Sequence, residues 1–404
     1  MSRYSRIAVV SLSLLIFSYI GLGYLLAKTD DDKAYRSLNV YGEVLQRVQE
    51  DYVDEPNLSN VTAGALHGLL ESLDPFSGYL SPREYADFKE KQKSTVHGEI
   101  GATLAKRFGY VVVVSVLPDS PAEKAGLRNG DIVEEIADFT TREMSIGQAN
   151  SLLGGAPGTT IKVGLVRRGK TEPQAITITR AVIPALHLTA DKIDDGVGYV
   201  RISALQTGAA AELRDKLQQF DKQGLHKLVL DLRDCARGPA SEGIAAAQLL
   251  IPSGTIATLK GQTVSRQEFD ADPDKLVWHG PIEVLISPST SGAAEIVAAA
   301  IGDNHRGDVV GTRSFGAASE QKLIPLEDGS AIMLTVAYYY TPANKSILEN
   351  GVVPSVEVVA GVPPEIGGDD LAPAPLGANQ LPPKDDPVLR KALDLLNNGA
   401  RKAA

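Results

Sequence analysis

Between Ala185 and Ala360 the chain switches repeatedly between two hydrophobic rhythms, and no other feature limits its architecture so tightly. VGYVRIS precedes the helical AAAELRDKLQQF, KLVLDLRD precedes EGIAAAQLLIP, IEVLIS precedes GAAEIVAAAIGD, and DVVGT closes the series. Short continuous apolar runs suit strands buried on both faces, and three- and four-residue spacing suits helices laid over them. Strands alternating with helices predict a mixed α/β layer fold for residues 185–360. At roughly 150 residues per domain, the 404-residue chain has room for further folded parts.

Ahead of this core, residues 33–95 read as a helical segment. Val40, Val44, Leu45 and Val48, then Ala63, Leu66, Leu69, Leu70 and Leu73, recur at helical spacing. ESLDPFSGYL is a turn cluster ending one helix, and Ser81 with Pro82 starts the next. Residues 96–183 read as a compact β-rich module: GEIGATL, a strand from Tyr110 to Leu117, a helix end at Gly126, an Asn129-Gly130 turn, a strand from Asp131 to Ile136, a short helix in SIGQANSLLGG and two alternating strands. Residues 361–384, rich in Pro, Gly and Asp, are expected as a flexible linker, and residues 385–404 as a terminal helix.

Ile7 to Leu26 carries no charge and is long enough to cross a bilayer as a helix. Arg3 and Arg6 precede it and Asp30, Asp31 and Asp32 follow, so the positive-inside bias puts the N-terminus in the cytoplasm and the bulk outside, in a periplasm or another extracytoplasmic space. Leu25 stands where a cleavage site needs a small residue, so residues 1–28 read as an uncleaved membrane anchor in preference to a cleaved signal. A net charge of −10 argues against nucleic acid as a partner. The single cysteine, Cys235, excludes an intrachain disulfide and reads as packing at a strand end. The six histidines have no ligand spacing, so neither a metal nor another cofactor is expected.

Several segments together resemble the C-terminal processing peptidases, also called tail-specific proteases, a family of PDZ-containing serine peptidases. They are LDPFSGYL, SPAEKAGLRNGDIV, VGYVRIS, LVLDLRD, SFGAASEQKLIPLEDGSAIMLTVAYYYTP and GVVPSVEV, in that order. The resemblance implies acyl transfer by a Ser/Lys dyad, in which a lysine of lowered pKa takes the serine proton. In the family the nucleophile lies three residues before the glutamate of an S-A-S-E-I turn. Here the turn reads STSGAAEIV, so Glu295 marks Gly292 as the nucleophile position. The lysine position, 25 residues further on after Phe315-Gly316, is Ala317, and only the family glutamine is kept, as Gln321. The resemblance therefore implies a pseudopeptidase, with both reacting groups lost. Where the family strand ends D-L-R-x-N-P-G-G, this chain has DLRDCARG, and Arg237 is expected to crowd the oxyanion position.

A displaced dyad is the alternative, with Ser291 as nucleophile of an active serine peptidase; the S-x-x-K at Ser319 to Lys322 is discounted because the segment reads as a strand. By resemblance to PDZ domains, GEIGATL supplies a carboxylate-binding loop from Gly101, Ala102, Thr103 and Leu104. A bound peptide would lie against Gln148, Ala149 and Leu152. The implied partners are protein or peptide C-termini. The apolar helical face of residues 33–95 leaves open a homodimer, a heteromer with an active relative, or packing on its own core.

Overall fold

The structure, a computed structural model, describes residues 36–93, 97–107, 109–142, 144–167, 173–359, 380–383 and 385–402, together with residue 18. The expected anchor, apart from Ser18, and most of the expected linker lie outside the described residues. Among the described residues no helix is long and apolar enough to cross a membrane.

The chain divides into two units, Met1–Ala65 and Leu66–Ala404. In the first lie α1 (residues 36–51) and the start of α2 (Leu58–Glu71). Leu38, Val40 and Val44 of α1 are exposed.

The second unit departs at once from expectation. LDPFSGYL is not merely a turn between helices, because Gly78–Leu80 forms strand β1, paired antiparallel with β16 (Ala331–Tyr340) about 250 residues away. Asp74 organises the approach: it accepts the backbone N–H groups of Phe76 and Ser77, both at 2.8 Å, the Ser77 hydroxyl at 2.7 Å and the Thr335 hydroxyl at 3.0 Å. Helix α3 (Pro82–Lys93) follows from the expected start at Ser81, whose backbone N–H donates to Glu84 at 2.8 Å while its hydroxyl accepts the Glu84 N–H at 3.4 Å.

The β-rich module comprises β2 (Ala102–Arg107), β3 (Tyr110–Val116), α4 (Pro121–Lys124), β4 (Ile132–Ile136), β5 (Phe139–Thr140), α5 (Ile146–Leu153), β6 (Thr160–Val166) and β7 (Gln174–Thr179). Its antiparallel sheet runs β2-β3-β4-β6-β7, which leaves β2 at an edge. Val111, Val113, Ile136, Leu165 and Ile178 fill its core.

Two sheets build the α/β region. The first runs β17-β14-β13-β10-β9-β8, formed by β8 (Thr189–Asp194), β9 (Val197–Arg201), β10 (Lys227–Asp231), β13 (Ile282–Ile286), β14 (Gly307–Gly311) and β17 (Val356–Glu357), parallel except at β8. The second, antiparallel, contains β1, β11 (Thr255–Lys260), β12 (Gln267–Asp270), β15 (Ser319–Pro325) and β16. Helices α6 (Ala209–Lys222), α7 (Ala240–Gln248) and α8 (Ala293–Asp303) share one core cluster with Val200, Leu228, Leu230, Val284 and Ile286. The alternate strand residues, Val197, Tyr199, Val229, Leu285 and Val310, pack instead on Val388, Leu389, Ala392 and Leu396 of α9 (Pro387–Lys402). That period of two is what buries both faces of the sheet.

A polar hinge secures α9. Asp386 caps its first turn by accepting the N–H groups of Val388 at 2.9 Å and Leu389 at 3.1 Å, and receives Arg233 at 2.7 Å. Arg233 also grips the fully buried Asp231 at 2.6 Å, which takes the Tyr199 hydroxyl at 2.8 Å. Desolvation opposes the Asp231 charge, yet Arg233 outweighs it and holds the carboxyl below its ordinary range.

Leu396→Ala should lower the unfolding free energy by about 2–4 kcal/mol, read by urea denaturation. Glu283 points to the α9 face by strand alternation; its Oε2 is buried without a partner, and burial, then the Asp308 charge, push its pKa up to about 8. A carboxyl raised in the folded state stabilises the fold in its protonated form, and that contribution is lost as pH climbs from the ordinary carboxylate range through 8. The melting temperature of the wild type should therefore fall between pH 5 and pH 8.5 relative to that of Glu283→Gln; parallel curves would refute the assignment.

Candidate functional site

Helix α8 starts at a cavity of about 210 Å³. Its N-cap, Gly292, has φ 63° and ψ −118°, a conformation that strains any residue with a side chain. Space is not the obstacle, since a Cβ built on Gly292 meets nothing within 4 Å.

Three residues on, the completely buried Glu295 carboxylate accepts the N–H groups of Gly292 at 2.8 Å, Gly316 at 2.6 Å and Ala317 at 2.8 Å, together with the Ser314 hydroxyl. Burial raises its pKa, and the Ala317 and Ser314 hydrogen bonds oppose that rise. One carboxylate thus ties the helix start to the segment before β15. Gly292, Ala317 and Gln321 consequently line one cavity, with Ser291, Phe315, Ser319 and Tyr339 among their neighbours. Among the described residues no Lys, His, Asp or Glu lines it. Tyr339 is the ionisable residue present, and burial with the nearby Glu320 charge pushes it up to about 12.

Ser291 also faces the cavity, is 5% exposed, and donates its backbone N–H to the Cys235 carbonyl at 2.9 Å. Lys322 is exposed on β15 and does not line the cavity, whereas Gln321 does and donates to Ser319 at 2.8 Å. Ser319 to Lys322 lies in that strand, not on a helix. Cys235 is fully buried in the core, and burial pushes its thiol up to about 12.

Arg237 behaves differently from the expectation. It does not fill the cavity: Ala236 and Gly238 on either side line it, while the Arg237 side chain turns to the β-rich module and meets Glu99 at 2.7 Å. An opposite charge within reach offers more than an uncharged cavity does. Gly238 has φ 127°, and a Cβ there would stand 1.9 Å from the Leu205 carbonyl oxygen, so this glycine shapes the turn.

In the module, Gly101 has φ 80°, and a Cβ built there would collide with the Ser120 side chain. Ala102, Leu104 and Ala149 are buried in the module core, whereas Thr103, Gln148 and Leu152 are half-buried. Ser145 caps α5 by accepting the Gln148 N–H at 3.1 Å, and α5 packs beside β2. Thr103, Leu104 and Ala105 of β2 line the same cavity as Gly292 and Ala317. β2 ends the sheet order, so the groups on its outer side have no strand partner there, and the cavity beside it is lined by uncharged residues.

Sequence reasoning used Glu295 only to set the register and missed its bonds to Gly316 and Ala317; a glutamate three residues into a helix was the available signal. It also missed Phe76 in the cavity and the Glu99 and Asp234 contacts across to the module, for which local pattern holds no signal. Asp234 accepts Asn129 Nδ2 at 2.9 Å, and its carbonyl accepts the Ser115 hydroxyl.

Comparison with known proteins agrees with this geometry. Residues 196–358 match the model of peptidase family S41, and residues 112–167 match a PDZ domain. The chain is 29% identical to a carboxy-terminal-processing protease of Bartonella bacilliformis, covering 96% of this chain and 94% of that protein. It is 32% identical to a carboxyl-terminal-processing protease of a Picosynechococcus species, over 82% of this chain and 78% of that one. Among solved structures, a photosystem II D1 C-terminal processing protease superposes with a TM-score of 0.67 at 26% identity, covering 79% of this chain and 92% of that one.

If backbone strain is what glycine relieves at 292, Gly292→Ala should destabilise the fold by about 1–3 kcal/mol despite the open space around it. Urea denaturation of the variant checks this, and an unchanged midpoint would count against it.

Proposed function

The chain belongs to the carboxyl-terminal-processing proteases of peptidase family S41, and from that premise we propose that this member no longer cleaves peptides and instead binds their C-termini through its PDZ domain. The observation that supports this most directly is the cavity at the start of α8. By the family spacing Gly292 and Ala317 fall where the nucleophile and the base are expected, both line this cavity, and among the described residues no Lys, His, Asp or Glu joins them there. Acyl transfer needs a nucleophile with a proton acceptor in reach. Losing either member of such a unit costs several orders of magnitude in rate. Ser291 supplies a hydroxyl, but among the described residues no lysine lines the cavity with it.

On this reading the charge-free run from Ile7 to Leu26 anchors the chain, with its bulk periplasmic or otherwise extracytoplasmic. The PDZ domain then withholds or presents protein tails, and an active relative is the natural recipient.

A fluorophosphonate probe should leave the purified protein unlabelled. Labelling that disappeared in Ser291→Ala would instead establish a displaced nucleophile. Combining Gly292→Ser with Ala317→Lys should confer slow cleavage of a C-terminally tagged substrate, because the Glu295 bonds that hold both positions use backbone N–H groups at 292 and 317.

A further inference from the structure

Arg237 stands where the family resemblance expects a glycine, and its surroundings suit a receptor better than a plug. Among the described residues its side chain makes one hydrogen bond, from Nη2 to Glu99 at 2.7 Å. A guanidinium carries five N–H donors in a planar fork, so most of its capacity is unused. The two side chains are 33% and 40% exposed. An ion pair that open to water holds weakly and exchanges readily.

The position of the pair matters more than its strength. Glu99 immediately precedes Ile100 and Gly101, which lead into the edge strand β2, and its backbone is fixed to Ala181 by bonds of 2.8 and 3.0 Å. A peptide added antiparallel along β2 has its C-terminus at the start of that strand. Its terminal carboxylate would arrive beside Gly101, where Arg237 already holds a carboxylate. The loop carrying Arg237 does not depend on that bond. Asp234 is held by Asn129 and Ser115, and the Arg237 carbonyl accepts the Leu205 N–H at 2.8 Å.

We propose that Arg237, contributed by the peptidase-like core, is a receptor for the terminal carboxylate of a peptide bound along β2, with Glu99 as the built-in occupant that a peptide displaces. The inference rests on the peptide-binding reading above and adds to it the residue that recognises the free C-terminus. A carboxylate on the open guanidinium fork gains two parallel charge-assisted bonds where Glu99 makes one.

The test is fluorescence anisotropy on the full chain with a fluorescein-labelled decapeptide ending in two alanines, as free acid and as amide. Arg237→Ala should weaken the free acid about fivefold to tenfold and leave the amide unchanged. Glu99→Gln should tighten the free acid severalfold by vacating Arg237, and should do so less at high salt. If Arg237 and Glu99 only clamp the two modules together, both variants will shift binding in the same direction and by the same factor for acid and amide, which overturns the inference while the peptide-binding reading survives. If the wild type binds neither peptide, both fall.

Discussion

Everything distinctive about the site hangs on one buried carboxylate. Glu295 gathers the helix start and the segment before β15 around itself, and three of its four donors are main-chain N–H groups. Backbone donors do not depend on the identity of the side chain attached to them. Glycine at 292 and alanine at 317 therefore leave the arrangement standing, because the bonds they make to Glu295 are main-chain ones. A carboxylate desolvated this thoroughly is tolerable only while its donors remain, since removing them would strand a buried charge.

The cavity above Glu295 and the edge of β2 form one continuous surface, because Thr103, Leu104 and Ala105 line the same space as Gly292. The loop after β10 joins them from a third side. Asp234 takes side chains from the PDZ domain, Arg237 reaches out to it, and Ala236 and Gly238 face the cavity. In a peptidase such a loop would be shaped to stabilise an oxyanion. Here its polar groups face the neighbouring domain, so on the proposed reading it has moved from serving a reaction to serving recognition.

The parallel core was legible because burial on both faces writes continuous apolar strands, and the helices over it keep a strict spacing; β9, α6, β10, α7, β13, α8 and β14 all form where the pattern places them. The PDZ domain was legible through its punctuation, the helix end at Gly126 and the turn at Asn129-Gly130, where both glycines take positive φ. What escaped was non-local. Strand β1 is three residues long and owes its existence to β16, and the antiparallel sheet around β11 and β16 assembles from segments far apart in the chain. At the site, the positions Gly292, Ala317 and Gln321 were readable from spacing, whereas the direction of Arg237 was not. A side chain at a loop goes to whichever partner the tertiary structure brings near, and Glu99 lies 138 residues upstream.

The pairing of β1 with β16 also sets an order in time. The PDZ domain lies wholly between those two strands in the chain, and its sheet pairs only segments within residues 102–179. During synthesis it can close as soon as that stretch is available, whereas β1 must wait, unpaired, until residues 331–333 have been made. Contacts this distant close slowly, and an unpaired strand invites the wrong neighbour meanwhile. Three residues form a strand too short to template another chain, so the brevity that hid β1 from pattern reading also protects the nascent protein while it waits.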